Sequence, residues 1–211
     1  MDDAALQTLA AWLSPAWPTG AFAFSHGLEW AIVAGDVDDA ETLRDWIADC
    51  LAHGSGRCDA ILLAAAWRDP ASEEVADFAA ALAPSAERLD ETASVGAAFA
   101  AITGASFGPE AAPAPWPVAL GRAAAAHALP LGPALTLFLQ AYAHNLLSVG
   151  VRLIPIGQTE AARALAALLP LIRETAAQAE AATPEEIGGC ALRADLAAMR
   201  HETQTVRLFR S

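Results

Sequence analysis

The most informative absence in this 211-residue sequence is lysine, because all 12 basic residues are arginine. A chain without lysine cannot supply the phosphate-binding lysine of a P-loop, a Schiff-base lysine or the anchor for pyridoxal phosphate. P-loop nucleotidases and several classes of cofactor enzyme are therefore excluded. If the function involves nucleotide chemistry, a partner has to provide it.

Positive charge is scarce altogether, since 25 acidic residues leave a formal net charge of −13. An acidic chain repels phosphate backbones and anionic lipid. We therefore expect no nucleic-acid partner and no docking to a membrane surface.

Cysteine is also rare, with Cys50, Cys58 and Cys190 making an odd number. The sequence begins Met1-Asp2-Asp3 and shows neither the basic segment nor the apolar segment of a secretion signal. The expected location is the reducing cytoplasm.

Residues that favour strands are sparse, whereas alanine occurs 55 times and leucine is next in frequency. Helix propensity is accordingly high almost everywhere. The predicted fold is all-α, a single compact domain of about nine or ten helices over residues 1–198. A polar, locally basic tail follows over residues 199–211.

Proline and glycine place the predicted boundaries of these helices. We expect helices over Ala4–Leu13 and Phe22–Val33, and a new helix starting at Asp69-Pro70. Another is predicted from Thr183 to about Ala198, because Thr183-Pro184-Glu185-Glu186 is a strong start signal. The longest loop is predicted over Gly104–Pro117.

The stretch Ala123–Val151 has no formally charged residue and is long enough to suggest a membrane span. Prolines and a glycine interrupt it near residue 130, and the rest carries one polar stripe. A central helix in a soluble domain is therefore the preferred interpretation, with the stripe hydrogen-bonded internally or lining a polar channel or subunit seam. The stripe consists of Thr136, Gln140, His144, Asn145 and Ser148.

Two groups of residues suggest metal binding or catalysis, but neither provides a complete set of ligands or catalytic groups. Cys50, His53 and Cys58 have side chains that suit nickel, copper or zinc, but no second pair is near enough in sequence to complete a four-ligand site. His144 could serve a small-molecule helical enzyme, yet no matched nucleophile and base accompany it. We therefore predict no catalytic residue, no metal site and no cofactor, with a nickel carrier using these three residues as the alternative function.

Three ordered blocks of the sequence resemble the family of urease accessory protein F (UreF). The first is Ser14-Pro15-Ala16-Trp17-Pro18-Thr19-Gly20-Ala21-Phe22-Ala23-Phe24-Ser25-His26-Gly27-Leu28-Glu29-Trp30-Ala31. The second is Val151-Arg152-Leu153-Ile154-Pro155-Ile156-Gly157-Gln158-Thr159. The third is Met199-Arg200-His201-Glu202-Thr203-Gln204 followed by Arg207-Leu208-Phe209-Arg210-Ser211.

The resemblance implies an all-helical, cytoplasmic, non-enzymatic and homodimeric scaffold for nickel insertion into the urease apoprotein. It would act with the accessory protein UreD, also called UreH, and with the GTPase UreG, which would supply the missing P-loop. Phe24 stands where many relatives carry tyrosine, so a contact that needs a phenol hydroxyl is in doubt.

The resemblance also selects partner-binding residues. They are Ser25, Gly27, Leu28 and Glu29 in the first block, Arg152 and Gln158 in the second, and Arg200, His201, Glu202, Arg207, Phe209 and Arg210 in the third. We expect the tail to be loose in isolation and to order against a partner, with Phe209 as its apolar anchor. Its removal would then spare the fold.

Arg152 has two predicted roles. It could stabilise phosphoryl charge during GTP hydrolysis by UreG, or it could stabilise the last turn of its own helix, where a cation is favourable.

Overall fold

A computed structural model describes residues 2–211, and within that range the chain is all-helical, which confirms the predicted fold class. Ten α-helices and two short 3-10 turns follow one another with brief connections. The helices are α1 (Asp3–Trp12), α2 (Leu28–Val33), α3 (Ala40–Ala52), α4 (Ser55–Arg68), α5 (Glu73–Ala81), α6 (Ala86–Phe107), α7 (Trp116–Ala126), α8 (Leu131–Leu153), α9 (Gln158–Ala181) and α10 (Leu192–His201).

The core forms around α4 and α8. Helix α4 is buried along almost all of Ala60–Ala66 and packs closely on α7. Small side chains permit this approach, because a Cβ atom on Gly121 would lie 2.5 Å from the Leu63 carbonyl oxygen. Helix α8 contacts α1, α2, α3, α4 and α9, so its apolar faces are covered by protein.

Helix α8 is long and apolar enough to span a membrane by length and composition alone. More than half of its most apolar stretch is buried inside the protein. Its neighbours therefore identify it as the central helix of a globular core.

The predicted helix over Phe22–Val33 was too long. A 3-10 turn covers Ala21–Ala23, and α2 begins only at Leu28. The interruption lies at His26 and Gly27, whose φ angles of 58° and 78° are left-handed and incompatible with a continuous α-helix.

The prediction that a helix starts at Thr183 was also wrong. It produces one 3-10 turn, Pro184–Glu186, in which the Thr183 N–H donates to the Glu186 carboxylate at 2.8 Å. Gly188 then adopts a φ of 142°, and α10 begins at Leu192 and ends at His201 instead of Ala198.

Two further boundaries differ from prediction. Helix α5 begins at Glu73 behind the N-cap Ser72, because Asp69-Pro70 forms a turn. Helix α6 continues to Phe107, so the long loop shrinks to residues 108–115.

Candidate functional site

The first and third sequence blocks, far apart in the chain, meet in space. The Ser25 N–H donates to the Ser211 carbonyl oxygen at 2.7 Å, and the Ser25 hydroxyl bonds to the same oxygen. The Arg210 N–H donates to the Ala23 carbonyl oxygen at 2.8 Å. The end of the tail is therefore fixed to the segment just before α2.

Glu29, in the first turn of α2, is the main acceptor for the tail. Its carboxylate is buried and accepts the backbone N–H groups of Leu208 at 2.7 Å and Phe209 at 2.9 Å. The same carboxylate lies 3.2 Å from Nε2 of His201. Hydrogen bonds to a charged acceptor are stronger than those between neutral groups. Glu29 therefore holds the tail in one conformation.

The imidazole ring of His201 is 0% exposed and lies between carboxylates from two helices. Its Nε2 faces Glu29 of α2, and its Nδ1 lies 2.6 Å from the Glu87 carboxylate of α6. Arg207 pairs with that same Glu87 carboxylate. The last residue of α10 and the tail are thus tied to both α2 and α6.

Glu202 acts as the cap of another helix. Its carboxylate accepts the N–H of Ala86 at 2.6 Å, at the N-terminus of α6. Free N–H groups and the helix dipole both favour a carboxylate there. Glu202 therefore stabilises a junction inside the protein.

Phe209 is only 4% exposed and is part of the hydrophobic core. The guanidinium of Arg152, in the last turn of α8, lies 5.5 Å from the centre of the Phe209 ring and 3.4 Å from the Phe22 carbonyl oxygen. Arg210 lies 4.9 Å from the centre of the Phe24 ring and pairs with Asp90 at 2.9 Å. The aromatic ring at position 24 therefore serves in packing.

Gly27 lets α10 approach α2. A Cβ atom at this position would lie 2.4 Å from the backbone nitrogen of Ala198. Because φ is 78°, the backbone also favours glycine there. Leu28 beside it is fully buried and supports the same contact from the core.

These contacts differ from the expectation of a loose tail. Phe209 and Ser211 are buried against the chain's own helices, so Phe209 is unavailable as an anchor for a partner. Removing the tail would expose Glu29 and uncover core residues, so the prediction that truncation spares the fold still needs a test. The sequence could not predict this docking, because the tail is polar locally and its acceptors lie more than a hundred residues away in the chain.

Two of the exposed singled-out residues have no partner among residues 2–211. Arg200 is exposed near the end of α10, and Gln158 is exposed as the first residue of α9. Within residues 2–211 neither side chain forms a hydrogen bond.

The cysteine and histidine cluster does not form a metal site. Cys50 and Cys58 are buried, and burial raises the pKa of each thiol to about 12, which opposes the thiolate form that binds metal. His53 is exposed at the end of α3. No group of three metal-binding side chains occurs among the described residues, so nothing in the geometry favours the nickel carrier.

The structure contains a feature that sequence reasoning missed, a cavity of about 340 Å³ between the Ser14–Phe22 segment, α6 and α8. We call it the aromatic cavity. Four groups at its inner end carry or can carry charge: His26, Asp59, Arg88 and Glu91. Six aromatic side chains contribute to its wall: Trp12, Trp17, Phe22, Trp116, Phe138 and Tyr142.

Some side chains of the polar stripe of α8 form internal hydrogen bonds, and others line a cavity. Asn145 donates to the Phe24 carbonyl oxygen at 3.2 Å, and Thr136 donates to the Gly132 carbonyl oxygen at 2.9 Å. His144, Asn145 and Ser148 also line the aromatic cavity. The exposed His144 forms no hydrogen bond to a described residue, so no nucleophile and base are paired around it.

Glu91 lies at the centre of the charged groups. Its carboxylate lies 2.9 Å from Nε2 of His26, pairs with the Arg88 guanidinium and accepts a hydrogen bond from the Ser211 hydroxyl at 2.9 Å. Burial alone would raise the pKa of Glu91, but Arg88 and His26 hold it at about 2. Burial and the Arg88 charge lower the pKa of His26, which favours a neutral imidazole.

Asp59 differs from Glu91. Its pKa is raised to about 7 by burial, with Arg88 opposing and Glu91 adding to the shift. The carboxyl forms no hydrogen bond or ion pair within residues 2–211. It also lines a second cavity of about 80 Å³, which reaches Asp195 of α10. Neither Asp59 nor Arg88 stood out in the sequence, because each resembles an ordinary charged residue on a helix surface.

Fold and site together define an all-helical protein whose N-terminal and C-terminal segments interlock, with most of the singled-out residues fixing that closure. Comparison with known proteins identifies the family. A sequence profile of the UreF family matches residues 37–169. Urease accessory protein UreF of Cereibacter sphaeroides strain KD131 is 60% identical over 208 residues, covering 99% of both chains. The protein of the same name from Rhodopseudomonas palustris strain HaA2 is 47% identical over 227 residues, covering 99% of this chain and 94% of the relative.

The chain therefore belongs to the UreF family of urease accessory proteins.

Proposed function

We propose that the protein is a cytoplasmic scaffold for urease maturation that assists nickel insertion into apo-urease. It would act as a homodimer, bridging UreD (also called UreH) and the GTPase UreG, without catalysis of its own. Family membership supports the role in maturation. The absence of lysine agrees with GTP binding by a partner.

The observation that carries this proposal is an exposed apolar face beside the docked tail. Leu192, Leu196 and Met199 are 61%, 48% and 47% exposed, and their spacing places them on one side of α10. Val206 and Leu208 in the tail are 84% and 65% exposed. We call these five residues the C-terminal face. Exposed apolar side chains on one side of a helix, with more on the segment that follows it, are typical of protein interfaces.

Three arginines lie close in sequence to the C-terminal face on an otherwise acidic protein. Arg200, Arg207 and Arg210 are exposed in the same part of the chain. An apolar patch with a basic rim fits a partner that offers an apolar patch with an acidic rim. We assign this partner as UreD, also called UreH.

The singled-out residues then divide into two groups. Ser25, Gly27, Leu28, Glu29, His201, Glu202 and Phe209 are positioning residues, because their contacts hold α10 and the tail in place. Arg200 is free for direct contact, whereas Arg207 and Arg210 are exposed but already pair with Glu87 and Asp90. Gln158 is exposed on a different element, α9, and is assigned to the side that binds UreG.

The test compares two exposed leucines. Leu196→Asp places a charge on the C-terminal face, whereas Leu6→Asp changes a leucine that is 45% exposed on α1. We expect Leu196→Asp to weaken capture of purified UreD at least tenfold and to reduce urease activation, with unchanged circular dichroism. Leu6→Asp should leave both unchanged. Equal capture by both variants would contradict the proposed interface.

A further inference from the structure

The aromatic cavity contains an acidic group, Asp59, that forms no ion pair within residues 2–211. Arg88 and Glu91 pair with each other, and His26 bonds to Glu91 through a largely neutral ring. One guanidinium and one carboxylate cancel, so an ionised Asp59 leaves the inner end with one net negative charge. Asp59 is only partly exposed, and a carboxylate largely removed from water without an ion pair is costly unless a cation compensates for it.

The wall of the cavity suits the same kind of ligand. Aromatic side chains from α1, α7, α8 and the segment before α2 surround the space, and the negative faces of such rings attract organic cations. Arg152 also lines the cavity, but its guanidinium is engaged with the Phe209 ring and the Phe22 carbonyl oxygen. A volume of about 340 Å³ is within the range of small-molecule sites.

We propose that the aromatic cavity binds an organic cation, an ammonium or guanidinium group on a small apolar body, with the charge at Asp59 and the body between the aromatic side chains. The site is separate from the C-terminal face, and the proposal does not depend on the partner assigned there. The cation comes either from a free amine or from an arginine or lysine side chain of a protein partner.

Binding depends on pH through Asp59. The groups that face it are Arg88 and Glu91 of α6, His26, Tyr142 of α8 and, across the smaller cavity, Asp195 of α10. Burial raises the pKa of Asp59 to about 7 and that of Tyr142 well above its usual value, so Asp59 is the group that changes charge near neutrality. Affinity for a cation therefore rises as the pH increases through 7.

The test is calorimetric titration of the full-length protein with 2-phenylethylammonium, alongside its neutral analogue 2-phenylethanol. We expect the ammonium to bind at pH 8 at least tenfold more tightly than the alcohol, and more weakly at pH 5.5. Asp59→Asn should remove this preference, whereas Asp195→Asn, which alters only the smaller cavity, should retain it. Trp17→Leu should weaken binding by removing part of the aromatic wall.

Three results would overturn the proposal: no binding at pH 8, equal binding of the alcohol, or unchanged ammonium affinity in Asp59→Asn. A second titration with N-acetyl-arginine amide distinguishes the source of the cation. Tighter binding of the blocked arginine indicates a side chain from a partner, and tighter binding of the amine indicates a free small molecule.

Discussion

Glu29 and Phe209 lie 180 residues apart in the chain, yet the backbone N–H of Phe209 donates to the Glu29 carboxylate at 2.9 Å. The same carboxylate also accepts the N–H of Leu208. One buried side chain at the start of α2 therefore controls the position of the tail.

Glu29→Gln should loosen the tail while leaving the helical core intact. The amide retains one acceptor oxygen but loses the charge, and hydrogen bonds to charged groups contribute about 1.5–3 kcal/mol. We expect amide hydrogen exchange at Leu208 and Phe209 to accelerate at least tenfold. Asp90→Asn is the control, because the Asp90–Arg210 pair is more than half exposed and such pairs contribute about 0–1 kcal/mol. Equal exchange in both variants would refute the role of Glu29.

Gly27→Ala and Gly20→Ala separate backbone conformation from close packing. Both glycines have φ near 79°, so each alanine should cost about 1–2 kcal/mol in conformational strain. Only position 27 adds a collision with Ala198, whereas a Cβ at position 20 meets nothing within 4 Å. Chemical denaturation should show a further loss of about 1–3 kcal/mol for Gly27→Ala. Equal losses would show that α10 does not depend on this contact.

Glu91→Gln should destabilise the fold strongly at neutral pH. It leaves the buried Arg88 without its counter-ion, which typically costs about 3–5 kcal/mol. Because the pKa of Glu91 falls to about 2 on folding from an ordinary 4.5, its contribution is complete above pH 4.5 and is lost as the pH falls towards 2. Urea denaturation at pH 7 and pH 3 should show a smaller gap between variant and native protein at pH 3. A gap independent of pH would argue against ionic stabilisation.

Asp59→Asn should have the opposite effect. Folding raises the pKa of Asp59 from 3.8 to about 7, so the ionised carboxyl destabilises the folded state, and this penalty grows as the pH rises from about 4 to 7. At roughly 1.4 kcal/mol per pKa unit, the variant should gain up to about 4 kcal/mol at pH 8. Denaturation at pH 4 should show a much smaller gain. A variant less stable than the native protein at pH 8 would contradict the assignment.

Arg152→Ala tests whether this arginine acts on GTP. Its guanidinium is engaged with the Phe209 ring and the Phe22 carbonyl oxygen, which favours a role in holding the tail over that of an arginine finger. We expect single-turnover GTP hydrolysis by UreG to proceed equally with native and variant protein, while exchange at Phe209 accelerates. A large fall in the hydrolysis rate would restore the catalytic role.

Local patterns were sufficient for the fold class and insufficient for the site. Alanine content and the proline and glycine breaks predicted helices correctly, because helix formation is governed by nearby residues. The helix ends at Ala198 and Thr183 were misplaced where glycines and left-handed residues overrode the start and stop signals. Glu29 and the tail were both singled out by family resemblance, but no local pattern indicates that residues so far apart bond to each other. Asp59, Arg88 and Glu91 were missed for the same reason.

The contact between Ser25 and Ser211 has a consequence for synthesis of the protein. Hydrogen bonds across 186 residues cannot form during synthesis until Ser211 has emerged from the ribosome. The segment before α2 is made early, but Ser25 lacks its tail acceptor until then. Glu29 and Glu91 likewise lack their donors from the tail. A nascent chain that has not yet reached Leu208 and Phe209 leaves the Glu29 carboxylate without its two backbone donors, so α10 and the tail take up their positions late in synthesis.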